Sequence, residues 1–171
     1  MTYKQVIISA MNKLARDKRT VFIGYNTACG SRMYGTLAKV PLKQCVETPV
    51  AENLMVGLGM GMSLEGYRPI ICFERANFLW TAADAIRHHL CMLPELSGWQ
   101  FTFPVVLRVI EGHDRPLDPG KQHKWGSAIE FAKMCNMEYW ACSTVEELQW
   151  AYYSLSKLDN PVMIIEYKRL Y

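Results

Sequence analysis

Four side chains in the middle of the chain have the types that acid–base and aromatic-ring chemistry needs. Glu52 ends the run TPVAE, just before an apolar segment rich in glycine and methionine, and its carboxylate can take part in proton transfer. Glu74 adds a second carboxylate, and Phe78 offers a flat ring for packing. His123 carries the side chain whose charge changes closest to neutral pH. Whether they form one site depends on the elements that position them.

Each of these residues also has an ordinary structural explanation. An acid at the start of an apolar helix offsets the positive end of the helix dipole, which is the usual role of an isolated residue such as Glu52. Phe78 is also explained as a core aromatic at a helix start, and His123 as an exposed loop histidine. Three roles remain open for the Glu74 side chain: it could pair with Arg75, point to solvent or contact a substrate.

Buried strands alternate with amphipathic helices along the sequence. This pattern predicts an α/β fold with a doubly wound, mainly parallel sheet and helices on both faces, formed by one domain over residues 1–171. Ligand sites in such sheets lie beyond the carboxyl ends of the strands. The predicted strands cover residues 20–24, 69–73, 103–109, 138–142 and 162–166, and the predicted helices cover residues 5–16, 51–65, 78–92, 127–134 and 144–157.

Composition narrows the function classes. The 171 residues are 50% hydrophobic, and a net charge of +3 without a basic stripe argues against nucleic-acid binding. No apolar run approaches ~18 residues and no signal-peptide pattern opens the chain, so neither a membrane span nor secretion is expected. The 6 cysteines show no CxxC spacing, which predicts reduced thiols in a cytoplasmic protein.

Two further patterns carry no chemistry of their own. Gly57, Gly59 and Gly61 superficially resemble a phosphate-binding loop, but they continue a helix that has already begun. Each glycine costs the helix about 1 kcal/mol relative to alanine, which indicates close approach of another helix, either in a second subunit or within the domain. His88 and His89 diverge by about 100° on a helix, so they are expected on its surface and not as joint metal ligands.

The order of the motifs is more specific than any one of them. From the N-terminus the chain contains TPVAE ending at Glu52, GLGMG, GYRPI, FERANF ending at Phe78, DAI, and GKQH ending at His123. This ordered set resembles the pyrimidine-binding domain of thiamine-diphosphate-dependent enzymes. The likeness is greatest to β subunits of 2-oxo acid dehydrogenase E1 components, with transketolases as a more distant relative, and it spans most of the chain.

The resemblance implies a role for each candidate residue. Glu52 matches the glutamate that hydrogen-bonds N1′ of the cofactor's aminopyrimidine and relays protons during cofactor activation. Phe78 matches the aromatic residue that packs on that ring, and His123 matches a histidine that faces the reacting carbon. Glu74 occupies a cofactor-side position that is usually apolar, and Ala76 replaces a common aromatic residue. Both departures set this chain apart from the usual E1 pattern.

The resemblance also implies that the chain holds half of an active site. The family binds the diphosphate through Mg²⁺ held by a GDG motif, which this sequence lacks, so no metal ligand is assigned here. We therefore expect a partner subunit with the diphosphate-binding domain, in an α2β2 assembly, and a 2-oxo acid or a ketose as the substrate. His113, Arg115 and Lys121 suit an anionic substrate. A non-catalytic regulatory or structural subunit that retains the fold is the alternative.

Overall fold

The computed structural model describes residues 1–112, 118–124 and 126–171 of the chain. Its centre is a six-stranded sheet with strand order β2-β1-β3-β4-β6-β5, in which every neighbouring pair is parallel. Parallel strands need crossover connections, so the helices lie on the faces of the sheet. The strands are β1 (Thr20–Gly24), β2 (Cys45–Glu47), β3 (Arg68–Phe73), β4 (Val106–Glu111), β5 (Glu138–Cys142) and β6 (Val162–Tyr167).

Helices of three kinds connect the strands. Capping boxes open the first and last α-helices, with Thr2 and Thr144 as the N-cap residues. In the part of the chain that the structure describes, no helix has the length and apolarity needed to cross a membrane. The α-helices are α1 (Tyr3–Leu14), α2 (Glu52–Leu64), α3 (Leu93–Leu96), α4 (Lys121–Lys124), α5 (Ala128–Met134) and α6 (Val145–Ser154). The 3-10 helices are Leu42–Gln44, Ala76–Ala82, Leu155–Lys157 and Lys168–Leu170, and one π-helix covers Ala85–Cys91.

The sheet separates two hydrophobic cores. Side chains alternate along each strand, so Ile71 and Phe73 of β3 face one core while Ile70 and Cys72 face the other. The first core includes residues of α2, the Ala76–Ala82 helix, the π-helix and α5, and the second includes residues of α1 and α6. The predicted doubly wound α/β fold with helices on both faces is therefore confirmed, and the sheet is wholly parallel.

The structure differs from the prediction at β2, at the start of β4 and over residues 78–92. β2 was absent from the prediction because it has only three residues at the sheet edge, none of them buried. β4 begins at Val106 and not at Phe103, since Pro104 lacks the N–H that a ladder hydrogen bond would use. The single helix predicted for residues 78–92 is instead the 3-10 helix followed by the π-helix.

The glycines of α2 divide between two environments. Gly59 is buried, and a Cβ built there would lie 2.6 Å from Cδ1 of Ile71, so α2 packs tightly on β3. Gly59 therefore allows close packing within the domain, as one of the two expectations had it, but the element that approaches it is the strand β3 and not a helix. A Cβ at Gly57 or Gly61 would meet nothing within 4 Å, which leaves that side of α2 open. Leu54, which is 54% exposed, also lies on the solvent-exposed side of this helix.

A buried ion pair joins the neighbouring strands β4 and β6 on the side of the second core. The guanidinium of Arg108 on β4 donates to both carboxylate oxygens of Glu166 on β6, at 3.0 and 2.9 Å, and both side chains are fully buried. The hydroxyls of Tyr152 and Tyr171 also donate to Glu166. The pair is therefore a structural feature of the sheet, separate from the predicted site residues.

Candidate active site at the carboxyl ends of the strands

Glu52 is the first residue of α2 and is 4% exposed. Its carboxylate lies at the positive end of the helix dipole, which favours the negative charge. The hydroxyl of Thr81 lies 2.8 Å from Oε2, within hydrogen-bond distance. The other oxygen, Oε1, is buried and has no hydrogen-bond partner among the described residues. An unsatisfied buried acceptor is costly, so Oε1 is the position where a ligand donor would be stabilising.

Phe78 lies between two other rings of the site. It belongs to the 3-10 helix that follows β3, and its backbone N–H donates to the carbonyl of Arg75 at 3.1 Å. Tyr25, which follows β1 directly, presents its ring edge-on to Phe78 at a centroid distance of 6.1 Å. The imidazole of His123 lies 5.4 Å from Phe78 on a tilted plane. The aromatic ring and the histidine of the sequence prediction are therefore neighbours.

Two contacts fix His123 on the short helix α4. Nδ2 and Oδ1 of Asn77 lie 3.2 and 3.4 Å from Nδ1 of the imidazole, so the Asn77 amide contacts this side of the ring and Nε2 is on the other side. The carbonyl oxygen of His123 approaches Gly112 so closely that a Cβ on that glycine would lie 2.0 Å away. The helix α4 can therefore pack against the end of β4 only because residue 112 has no side chain.

Glu74 is half-buried at the end of β3 and turns toward the loop that follows β1. Nδ2 of Asn26 donates to Oε1 of Glu74 at 3.1 Å. Burial raises the pKa of Glu74, while this hydrogen bond and the charge of Arg75 act in the opposite direction. The pKa of the nearby Tyr25 is raised by burial and then by the negative charges of Glu52 and Glu74. Both carboxylates therefore act on the same small region.

Glu47 organises the loop that presents Tyr25 and Asn26. Its carboxylate accepts the backbone N–H groups of four successive residues, at 2.7 Å from Asn26, 3.0 Å from Thr27, 2.7 Å from Ala28 and 3.3 Å from Cys29. Burial alone would raise the pKa of Glu47, but the hydrogen bonds outweigh it and the pKa is lowered. The loop is thus held by a charged residue at the end of β2.

These residues fit an aminopyrimidine. A protonated ring nitrogen would give Oε1 of Glu52 the donor that it lacks, and the half-buried Phe78 offers an aromatic face nearby. Among residues 1–112, 118–124 and 126–171, no group of three or more His, Cys, Asp or Glu side chains could hold a metal ion.

The structure places the four predicted site residues in the region that the sequence analysis indicated, but several of their contacts involve residues that it did not name. Glu52, Glu74, Phe78 and His123 all lie beyond the carboxyl ends of strands, as the fold requires. The sequence analysis did not assign Tyr25, Asn77 or Thr81 to the site, and their contacts come from the structure. Tyr25 had a usable signal, since it directly follows a predicted strand. His113 and Arg115 lie outside the described residues.

Comparisons with known proteins place this chain in a family. The sequence model described as "Transketolase, pyrimidine binding domain" matches residues 1–171. The chain is 31% identical to pyruvate dehydrogenase E1 component subunit beta-3, chloroplastic, of Oryza sativa subsp. japonica, over 82% of this chain and 34% of that protein. It is 32% identical to pyruvate dehydrogenase E1 component subunit beta of Staurastrum punctulatum, over 93% of this chain and 49% of that protein. The chain thus spans a third to a half of these relatives.

A solved structure shares the fold. The "Split gene transketolase, inactive beta4 tetramer" aligns with a TM-score of 0.75 and 15% sequence identity, over 98% of this chain and 52% of that one. The family match over residues 1–171, together with this shared fold, defines the class as the pyrimidine-binding domain of thiamine-diphosphate-dependent enzymes. With the family match over its whole length, the chain belongs to the transketolase pyrimidine-binding-domain family.

Proposed function

We propose that this chain is the pyrimidine-binding subunit of a split thiamine-diphosphate-dependent enzyme that transfers an acyl or ketol unit from a 2-oxo acid or a ketose. The observation that carries the proposal is Oε1 of Glu52, a buried carboxylate oxygen without a partner among the described residues. Membership of a thiamine-diphosphate-dependent family supports it. When bound, the cofactor supplies the carbanion chemistry, and the protein supplies binding, orientation and proton transfer.

Several side chains of this subunit have separate roles in cofactor binding and proton transfer. Glu52 hydrogen-bonds the aminopyrimidine through Oε1 and exchanges the proton, while the hydroxyl of Thr81 lies within hydrogen-bond distance of the other oxygen. Phe78 packs on the ring. The Asn77 amide contacts Nδ1 of His123, so Nε2 is the ring nitrogen that faces the reacting centre and exchanges a hydrogen bond there.

We propose that a partner subunit completes the site. The sequence has no GDG motif, so the Mg²⁺ and the diphosphate are assigned to the diphosphate-binding domain of the partner. The open side of α2, with Gly57, Gly61 and the exposed Leu54, gives other subunits a surface that a backbone can approach closely. These features support a subunit contact on this side of α2, and we propose that the assembly is an α2β2 heterotetramer. We also propose a cytoplasmic location, because all six cysteines are free thiols.

The test is cofactor binding and turnover after mutation of Glu52. The chain is co-expressed with a GDG-bearing partner, and thiamine diphosphate binding is followed by calorimetry with Mg²⁺ present. Glu52→Gln is expected to lower turnover at least about 100-fold, because the proton-transfer group is lost. Glu65→Gln, an exposed acid at the other end of α2, is the control and stays within about twofold.

Unchanged turnover in Glu52→Gln would contradict the role of Glu52. No cofactor binding by the mixed subunits would instead favour a regulatory or structural subunit that retains the fold.

A further inference from the structure

A cavity of about 430 Å³ lies between α1 and α6, on the side of the sheet that carries the second core. Thr20 and Arg68, the first residues of β1 and β3, line it. The candidate active site lies at the other ends of these strands. Because a strand rises about 3.3 Å per residue, the six residues of β3 separate the two regions by roughly 17 Å. The cavity is therefore separate from the residues assigned to cofactor binding.

The wall that α1 contributes to this cavity is largely apolar. Val6, Ala10 and Leu14 recur at helical spacing and line it. A smaller cavity of about 30 Å³ shares three lining residues with the larger one and is otherwise lined by apolar side chains, including Leu155 and Leu158. We call the two cavities together the α1–α6 groove. Its smaller end suits a hydrocarbon group, because burial of apolar surface is favourable.

Two positive side chains, Lys13 and Arg68, line the larger cavity. The carboxylate among the described lining residues is that of Asp17, and Arg19 already neutralises it. Nε and Nη2 of Arg19 lie 3.2 and 2.9 Å from oxygens of Asp17, whereas the guanidinium of Arg68 lies 3.8 Å away. The charges of Lys13 and Arg68 are therefore only partly compensated, and a ligand anion would form charge-assisted hydrogen bonds with them.

The position of Lys13 is set by a contact between the two helices. Its Nζ lies 5.1 Å from the centroid of the Tyr153 ring on α6, which is a cation–π distance. Both residues are exposed, so this contact keeps the ammonium group at the solvent side of the groove. Tyr152 also lines the groove, but its hydroxyl donates to Glu166. The anion contacts of a ligand are therefore assigned to Lys13 and Arg68.

We propose that the α1–α6 groove binds a small carboxylate with an apolar chain, at a site distinct from the active site. The carboxylate contacts Lys13 and Arg68, and the chain lies along α1 toward Leu155 and Leu158. The volume of the larger cavity is within the range of about 300–1,000 Å³ that is usual for small-molecule pockets. A neutral chain would leave the two positive charges without a counter-charge, and a short acid would leave the apolar end unfilled.

The experiment is a titration of the full 171-residue chain with octanoate, followed by NMR of ¹³C-labelled leucine methyl groups. Leu14→Met and Leu158→Met assign the two signals of the groove. We expect both signals to shift and to saturate below about 1 mM octanoate, while the signals of Leu54 and Leu64 on α2 stay in place. Octanol, octylammonium and acetate should each bind at least about tenfold more weakly, because each lacks the negative charge or the chain.

Three substitutions separate the contacts. Lys13→Gln and Arg68→Gln should each weaken octanoate about tenfold and leave octanol unchanged, because each removes one charge-assisted contact. Ala10→Leu narrows the groove and should weaken octanoate and octanol alike. Lys18→Gln is the matched control, since Lys18 is an exposed lysine that does not line the groove, and it should change nothing.

Several outcomes overturn the proposal. They are no saturable shift of the Leu14 and Leu158 signals, equal shifts of the Leu54 and Leu64 signals, octanol or octylammonium binding as tightly as octanoate, or unchanged octanoate binding in both Lys13→Gln and Arg68→Gln. The titration needs neither cofactor nor partner, so failure of the cofactor experiments with Glu52→Gln would leave it intact. The two proposals therefore fail separately.

Discussion

Oγ1 of Thr81 lies 2.8 Å from Oε2 of Glu52, so an exposed hydroxyl on the 3-10 helix satisfies one oxygen of a buried carboxylate on α2. The same hydroxyl lies 2.7 Å from the carbonyl oxygen of Phe78. A hydroxyl has one proton and can donate to only one of these acceptors at a time. The position of the carboxylate therefore depends on an element that begins after the next strand, and not on α2 alone.

Thr81→Val is expected to lower the free energy of unfolding by about 1 kcal/mol, because Glu52 then has two buried oxygens without a partner among the described residues. Valine keeps the branched shape, so packing changes little. Urea unfolding of the isolated chain measures the difference. Thr81→Ser keeps the hydroxyl and should match the parent chain. Equal stability of the valine and serine variants would show that the hydrogen bond contributes nothing.

Glu74 gives a pH-dependent prediction. Its pKa is raised in the folded chain, so folding binds its proton more tightly, and the charged form lowers stability once the pH rises above 4.5, the ordinary pKa of a glutamate. Glu74→Gln removes that charge and keeps an acceptor for Asn26. We expect the variant to be more stable at pH 7, by less than about 1 kcal/mol because the side chain is partly solvated.

The stability difference between Glu74→Gln and the parent chain should shrink as the pH falls from the raised pKa of the folded state toward 4.5, and it should vanish below 4.5, where the parent carboxyl is protonated in both states. Thermal unfolding between about pH 3.5 and 7.5, a range that extends to either side of this transition, follows the change. A difference that stays constant over this range would mean that the charge of Glu74 is not its source.

Gly112→Ala is expected to displace His123, because a Cβ at residue 112 would lie 2.0 Å from a backbone carbonyl that cannot rotate away. The ring protons of His123, which lies 5.4 Å from Phe78, should lose part of their ring-current shift in NMR spectra. Gly57→Ala is the matched control, since nothing lies within 4 Å of its Cβ. The control should stabilise the helix by up to about 1 kcal/mol.

His123 ring shifts that are identical in the parent chain and in Gly112→Ala would contradict the close approach of β4 and α4.

The buried ion pair predicts a large effect far from the site. Glu166→Gln leaves the buried guanidinium of Arg108 without its counter-charge, so the free energy of unfolding should fall by about 3–5 kcal/mol. Denaturant unfolding provides the measurement. Glu138→Gln in β5, where an exposed side chain keeps its acceptor for Trp140, should stay within about 0.5 kcal/mol. Similar losses in both variants would mean that burial of the charge is not the cause.

The strands and the approximate place of the site could be predicted from sequence because they depend on local patterns. β1 and β5 have the predicted bounds, since apolar runs between turn residues are readable in a window of a few residues. The capping box at Thr144 also gave the start of α6 correctly. The motif order then led to Glu52, Phe78 and His123.

The contacts within the site could not be predicted, because they join segments distant in sequence. Thr81 meets Glu52 only after α2 and β3 have packed, and Asn77 meets His123 only through the close approach at Gly112. The pairing of Glu74 with Asn26 similarly depends on the loop that Glu47 holds. Periodicity indicates which residues are buried, but it carries no information on which polar atoms face one another across the sheet edge.

The open side of α2 has a mechanical consequence. The helix α2 carries Glu52 at its first residue, and Gly57 and Gly61 lie along its exposed side. Because a rigid helix moves as one body, a shift of α2 at the glycines also shifts Glu52. Sliding it by one residue's rise displaces Glu52 by about 1.5 Å. Misplacement by about 1 Å already costs a catalyst on the order of 100-fold in rate. A subunit packed on Gly57 and Gly61, as we propose, would therefore fix the position of the Glu52 carboxylate along the axis of α2.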